Sequence, residues 1–381
     1  MRRTHGLICS TIAATALGPI ARAQLDLSDP AVDAAAEQRL LQTGGPGFRI
    51  KRTDRFFVAY NTRDDAVRHL LSRLRATHRH VYHFCKINDI PATPLEHRLG
   101  VLFFNTHREY LDYAAKEGFG HGNSAGFYSQ RSNISAFYNL ADSPMLLEIN
   151  DRIERLERQI EALEKDRPRD RARLRKLRRQ RQKLTNVRQR TVERLNRLTV
   201  QHEAAHQILF NAGIHARGVK NPGWLVEGLA CLFETPPSAS GSGPGATNQI
   251  RLADFRSVCG AVTDADRLRA ADIEVALAAG KFRPLRELVG KADLFDKAQD
   301  PNLVHYYTQA WSWVLYLQRN KRRPFAEYLT RLSKRMPDQQ STPEAEIAEF
   351  EAAFGPIDDR LQDRWARFIL EHLPFKPSEL K

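Results

Sequence analysis

The chain has 381 residues, 42% of them hydrophobic, enough for one large core or two small ones, which excludes disorder throughout. Its formal charge of +14 points to a polyanion binder only until it is located: residues 151–199 hold 18 Lys or Arg against 8 Asp or Glu. Three more arginines lie in the first 22 residues, so the body of the protein is close to neutral.

The first residues read as a targeting segment. Arg2 and Arg3 form a basic start, Leu7 to Leu17 a mostly apolar run, and Ala21-Arg22-Ala23 a small-x-small cleavage site before Gln24. The reading predicts a signal peptide over 1–23 and an exported protein, periplasmic or extracellular after cleavage. Arg2-Arg3 leaves the twin-arginine route open beside the general one. No later stretch approaches the roughly 20 continuous apolar residues of a membrane span. Cys9 falls in the signal, leaving Cys85, Cys231 and Cys259, too few and too scattered for a disulfide framework. A Cys231–Cys259 bridge stands against the commoner use of unbridged cysteine as a small buried side chain.

Residues 24–47 show no clear periodicity and read as a lead-in. An N-terminal α/β part then runs over 48–142. Phe56 to Tyr60 reads as a strand, Arg63 to Phe84 as a helix with Val67, Leu70, Leu71 and Leu74 on one side, and Gly100 to Phe104 as a second strand. Thr106 to Glu117 reads as a short helix capped by its threonine. Gly126 to Ser129 and Ile134 to Tyr138 read as two strands of a hairpin turned by Gln130 to Asn133.

Residues 143–199 carry the charge. Ile149, Ile153, Leu156, Ile160 and Leu163 recur at steps of four and three, a coiled-coil seam that Pro168 interrupts. Leu174, Leu177, Leu184, Leu195 and Leu198 continue a thinner stripe. The arm 151–166 has a net charge of −2 and the arm 167–197 a net charge of +12, which favours folding against each other as an antiparallel hairpin with Pro168 near the tip. No Gly or Pro occurs from Arg169 to Ala212, so the second arm is expected to run as one long helix into the segment that follows.

That segment, 200–381, opens with the chemistry. His202-Glu203-Ala204-Ala205-His206 sets two imidazoles four residues apart, on adjacent turns of one helix face, where both reach one metal ion. Glu203 lies beside them as a general base toward a water on that ion. Glu227 is the one carboxylate in the apolar run Gly223 to Ala230, at a position that otherwise faces the core. Coordination to a cation is one of the few ways to keep a buried carboxylate ionised. Two histidines and one glutamate leave an open coordination position, as catalytic zinc sites do. Gly213 and Asn221-Pro222-Gly223 let the chain turn back so that the second helix meets the first.

This stretch resembles the gluzincin metallopeptidases, the thermolysin-like clan, whose pattern is His-Glu-x-x-His followed by Trp-x-x-Glu-Gly-x-Ala, here Trp224 to Ala230. Within the clan it is most like a family of secreted bacterial proteins known mainly as domain of unknown function 1570. The resemblance spans about Gly100 to Leu317, interrupted by the hairpin, and is strongest from His202 to Glu234. It implies an α+β, zincin-like fold: a small mixed sheet, an active-site helix, a helical C-terminal part and the coiled-coil hairpin as an insertion. It also implies that Ile134 to Tyr138 is the edge strand lining the cleft, and that Zn2+ is held by His202, His206 and Glu227. Tyr307, in a run similar to the helix downstream of the zinc site, is then a hydrogen-bond donor to the oxyanion, with His305 and Tyr306 as rivals. The sequence departs from the thermolysin pattern at Cys231, where an acid ordinarily supports a histidine; Glu234 is the substitute, against its reading as a surface carboxylate.

Other candidates carry less. His78, His80 and His83 cluster without an acid or thiol and read as a solvated helix face. Asn248 and Arg251 follow a Gly/Ser/Pro-rich connection, Thr235 to Thr247, at the border of a cleft. The expected function is hydrolysis of a peptide bond in a peptide or protein substrate. The competing class is a binding protein, a zincin body without turnover whose basic hairpin holds an acidic partner or self-associates. Export and the lack of aromatic residues in the basic arm argue against nucleic acid.

Overall fold

Alternation along the central strands decides how the chain layers. A computed structural model describes residues 30–119, 125–166, 170–235, 246–261, 263–291, 293–296, 300–336 and 341–380. The signal-peptide reading over 1–23, the hairpin tip at Pro168 and most of the Thr235 to Thr247 connection lie outside them. Strands β1 (Arg49–Arg52), β2 (Phe56–Tyr60), β3 (Leu99–Phe104), β4 (Gly126–Ser129) and β5 (Ile134–Tyr138) form one mixed sheet in the order β1-β2-β3-β5-β4. β2, β3 and β5 are parallel, while β1 and β4 run antiparallel at the two edges. Because side chains alternate along a strand, Phe56, Val58, Val101, Phe103 and Phe137 bury into one core. Phe57, Ala59, Leu102, Phe104, Phe127, Ala136 and Tyr138 bury into another, on the opposite face.

Helices cover both faces. α1 (Pro30–Gly44) and α3 (His107–Lys116) supply Leu40, Tyr110, Tyr113 and Ala114 to the second core. α2 (Asp64–Ile87) lies on the first, through Val67, Leu70, Leu71 and Leu74. α3 starts with a capping box: Glu109 N–H donates to the Thr106 hydroxyl, and the Thr106 N–H donates to the Glu109 carboxylate. Strands β2 to β5 and the helices α2 and α3 fall where the pattern of the sequence sets them, while β1 is a strand the pattern does not mark. Two expectations do not hold. The lead-in is in large part α1, an Ala-rich helix with almost no amphipathic signal, anchored by Leu40. Ile134 to Tyr138 is not the edge strand: β5 sits between β3 and β4, and β4 is the edge. Pairing order is a long-range property that the local pattern of either strand does not carry.

α4 (Leu147–Asp166) and α5 (Arg171–Asn196) pack antiparallel: Asn150 accepts from Arg188 near the base, and Glu164 pairs with Arg178 toward the tip. Ile160, Leu163 and Leu174 form a small core of their own with Leu177, apart from the body. Leu195, at the base of α5, joins the core behind the sheet. The chain then passes without a break through a π-helical turn, Arg197–Gln201, into α6 (His202–Asn211). Leu195 and His202 are seven residues apart, two turns of an α-helix, and would share a face; the wider turn rotates α6 by roughly 90–100°. The turn crosses the sheet at its β4 edge, where a Cβ on Gly126 would lie 2.8 Å from Thr199 Cγ2. α5 thus packs behind the sheet and α6 in front of it.

The rest is helical: α7 (Gly223–Leu232), α8 (Gln249–Val258), α9 (Ala270–Ala278), α10 (Leu285–Gly290), α11 (Leu303–Asn320), α12 (Arg322–Leu332), α13 (Pro343–Phe354) and α14 (Asp359–His372). They share the front core with α2 and α6, where Trp224, Trp311, Trp313 and Trp365 are fully buried. Fully burying a large apolar side chain is worth about 1.5–3 kcal/mol. Among the described residues no helix is long and apolar enough to cross a membrane, and Cys85, Cys231 and Cys259 are buried free thiols rather than a bridge.

Candidate metal centre

Three fixtures hold α6 against the sheet and turn α7 back onto it. Gln207, buried, donates to the carbonyls of Gly100 and Asn133 and accepts from Ser135, pinning the helix beneath β3 and β5. α6 ends at Gly213, whose φ of +73° lets the Ile214 N–H close on the Leu209 carbonyl. Asn221 then bridges the loop, accepting from the Ala216 N–H and donating to its carbonyl, just before α7 begins. α7 in turn meets α11 at Gly228, where a Cβ would lie 2.5 Å from Val314 Cγ2 and 2.6 Å from the Ala310 carbonyl oxygen. Only a glycine admits that approach, and it fixes the depth of its neighbour Glu227.

The result is a convergence of three buried side chains. His202 Nε2 lies 2.9 Å from His206 Nε2 and 3.0 Å from Glu227 Oε2, and His206 Nε2 lies 3.4 Å from the same oxygen. Glu203, 1% exposed, stands in the first turn of the same helix. Burial opposes the charged form of Glu227, but His206 and His202 bring its carboxyl down to about 2, so it is ionised.

Behind His202 lies the partner whose place Cys231 seemed to leave empty. His202 Nδ1 faces Glu234 Oε1 at 2.9 Å, and Cys231 Sγ is 4.0 Å away. Glu234 is not a surface carboxylate: it is completely buried. Arg251 grips it with a two-pronged contact of 2.7 and 2.5 Å, and Asn248 donates to it at 3.0 Å. Burial pushes the Glu234 carboxyl up, yet the Arg251 guanidinium brings it below its ordinary value. Facing an ionised carboxylate, Nδ1 of His202 carries a proton. Burial lowers the His202 pKa, but its contacts with Cys231, Glu227 and Glu234 raise it well above its ordinary value. Without an ion Nε2 is therefore protonated too and donates to Glu227. A divalent cation can take the place of that proton between the two imidazoles and the ionised carboxylate.

A second donor group, His202, Cys231 and Glu234, is compact as well. It does not suit a cation, because Glu234 already takes four hydrogen bonds, two of them from a buried guanidinium, and burial pushes the Cys231 thiol up to about 11. His202, His206 and Glu227 are thus the candidate site for a divalent ion, and Glu234, Asn248 and Arg251 orient its first ligand. Glu234→Gln is expected to weaken metal affinity roughly 10–100-fold, read by titration against a competing chelator. Unchanged affinity would mean that the Glu234 contact does not orient His202.

Of the other residues singled out, Tyr307 on α11 sets its ring edge-on to His202, with centroids 5.9 Å apart, and lies under the Arg251 guanidinium. Tyr306 is committed elsewhere, its hydroxyl bonded to Arg283 and Asp300. His305 is half-buried, and burial lowers its pKa. His78, His80 and His83 do not gather as a metal-binding group among the described residues. His215 gave no signal in the sequence. It is buried against Phe210, and burial, with His206 nearby, pushes it down to about 3, so it is a neutral imidazole beside the triad.

A family profile described as "Protein of unknown function (DUF1570)" matches residues 196–339. The match takes in the π turn, α6, α7, Glu234, Arg251 and Tyr307, and leaves out the sheet and nearly all of the hairpin. No curated protein and no solved structure matches the chain.

Proposed function

We propose that the protein is an exported zinc metallopeptidase of the gluzincin type, with a zincin-like fold. One observation carries the reading: the Nε2 atoms of His202 and His206 and Oε2 of Glu227 lie within 3.4 Å of one another, with Glu203 on the same helix. The donor set of two imidazoles and one carboxylate is that of catalytic zinc sites with an open position. The antiparallel edge strand β4 supports the fold reading. Its Tyr128 packs on Phe210 and Val226, which neighbour the ligands His206 and Glu227 in sequence.

Zinc held by His202, His206 and Glu227 would supply Lewis acidity toward a peptide carbonyl and water. Glu203 takes the proton of the attacking water and returns it to the leaving amine, a role suited to a buried carboxylate that is not itself a ligand. Glu234, clamped by Arg251, keeps the His202 ring in one orientation and tautomer through the cycle. Tyr307, whose ring stands edge-on to His202, donates to the oxyanion. Tyr307→Phe is expected to lower kcat by roughly 100-fold with KM little changed; a purely structural phenol would leave kcat intact and shift only thermal stability.

The reading is tested by chelating the purified protein, restoring zinc, and following new N termini in a mixed peptide library. Zinc-dependent cleavage is the expected result. Bound zinc with no cleavage of any peptide would instead support a zincin body that binds without turnover.

A further inference from the structure

The basic arm of the hairpin is a built surface. α5 carries eleven Lys or Arg and a single acid, Glu193. Opposite charge favours the pairing of the two arms, yet among the described residues only Arg178 forms an ion pair across the hairpin, with Glu164. The geometry of the helix explains why. Leu174 is buried and Leu177 and Leu184 half-buried against α4, whereas Arg175, Arg179, Lys183, Arg190 and Arg194 are all exposed. These five follow one another at steps of four, four, seven and four, which keeps them within an arc of roughly 100° facing away from α4. They make a straight stripe about 28 Å long at 1.5 Å per residue. None of the five has an acidic partner among the described residues.

We infer that this stripe docks the protein onto an anionic membrane surface through lipid phosphate headgroups. These five cations, on one side of the helix, are presented together to a plane. The distal half of the hairpin has its own small core, separate from the body, so it can lie along a surface without the body moving aside. The stripe has no aromatic side chain on which a nucleobase could stack. It also has almost no exposed apolar side chain, Val187 excepted, so the contact is electrostatic and lies on the bilayer rather than in it. With the body of the protein nearly neutral, the basic arm that carries the stripe sets the orientation of the protein at the surface. The inference does not depend on the metal centre.

Full-length protein is sedimented with vesicles of phosphatidylcholine alone and with vesicles of equimolar phosphatidylcholine and phosphatidylglycerol, at low and high salt. Binding is expected only to the anionic vesicles, and to be lost at high salt. The combined variant Arg175→Gln, Arg179→Gln, Lys183→Gln and Arg190→Gln retains good helix formers at exposed positions. At about fivefold per basic side chain near the surface, it is expected to bind roughly 600-fold more weakly, with thermal stability and zinc content unchanged. Anionic vesicles that fail to bind, or that bind the variant as well as the parent, overturn the proposal. Preference for a duplex oligonucleotide over the anionic vesicles overturns it in favour of nucleic acid.

Discussion

Glu203→Gln is expected to reduce kcat/KM for peptide cleavage by roughly 10²–10⁴-fold, the usual worth of a positioned general base, while bound zinc stays at its original level. The side chain is buried at the start of α6 and is not one of the three converging ligands. Glutamine keeps its size and its helix propensity but cannot take a proton from water, so the loss belongs to chemistry and not to folding. Three measurements on one preparation make the distinction: steady-state kinetics, metal analysis and a melting curve. An unaltered rate at unaltered metal content would move the base elsewhere. A collapsed melting temperature would show that Glu203 holds the core.

Glu227→Ala is expected to act on the metal itself. With the carboxylate gone, His202 and His206 present two nitrogens and no negative charge, so zinc affinity falls by more than the roughly 10–100-fold that loss of an outer partner costs. A linked effect on stability follows. The parent gains about 2.7 kcal/mol of stability at zinc one hundred times its dissociation constant, seen as a rise in melting temperature, and the variant gains essentially none. A variant that keeps zinc and its stabilisation would remove Glu227 from the ligand set.

The elements that carry the site were readable because each left a periodic or punctuated trace. Phe56 to Tyr60 and Leu99 to Phe104 are apolar runs of strand length, Thr106 and Glu109 are three residues apart as a capping box requires, and His202 and His206 share a helix face. What stayed hidden depends on three-dimensional neighbours. β5 and β4 look alike as short strands, and only their pairing with β3 decides which one is the edge. The helix from α5 to α6 contains no Gly or Pro and so reads as uninterrupted, which it is. The extra width of the turn Arg197–Gln201 answers a packing demand, the passage around β4 past Gly126. The position four residues after Glu227 is Cys231; Glu234, weighed in the sequence as its substitute against a surface carboxylate, lies just beyond the end of α7 where the backbone is no longer helical, so only the structure decides that it is buried against His202. Arg251, which secures Glu234, arrives from another helix after an intervening connection. Tyr307 could be told from Tyr306 only once Arg283 and Asp300 were seen to occupy the Tyr306 hydroxyl.

Diffraction data from zinc-loaded crystals, collected on both sides of the zinc absorption edge, would show directly whether an ion sits where the imidazoles meet the carboxylate. One anomalous peak is expected, at about 2.0–2.2 Å from Nε2 of His202, Nε2 of His206 and a carboxylate oxygen of Glu227. A peak beside Cys231 and Glu234 instead, or no ordered zinc between the two histidines, would contradict the account.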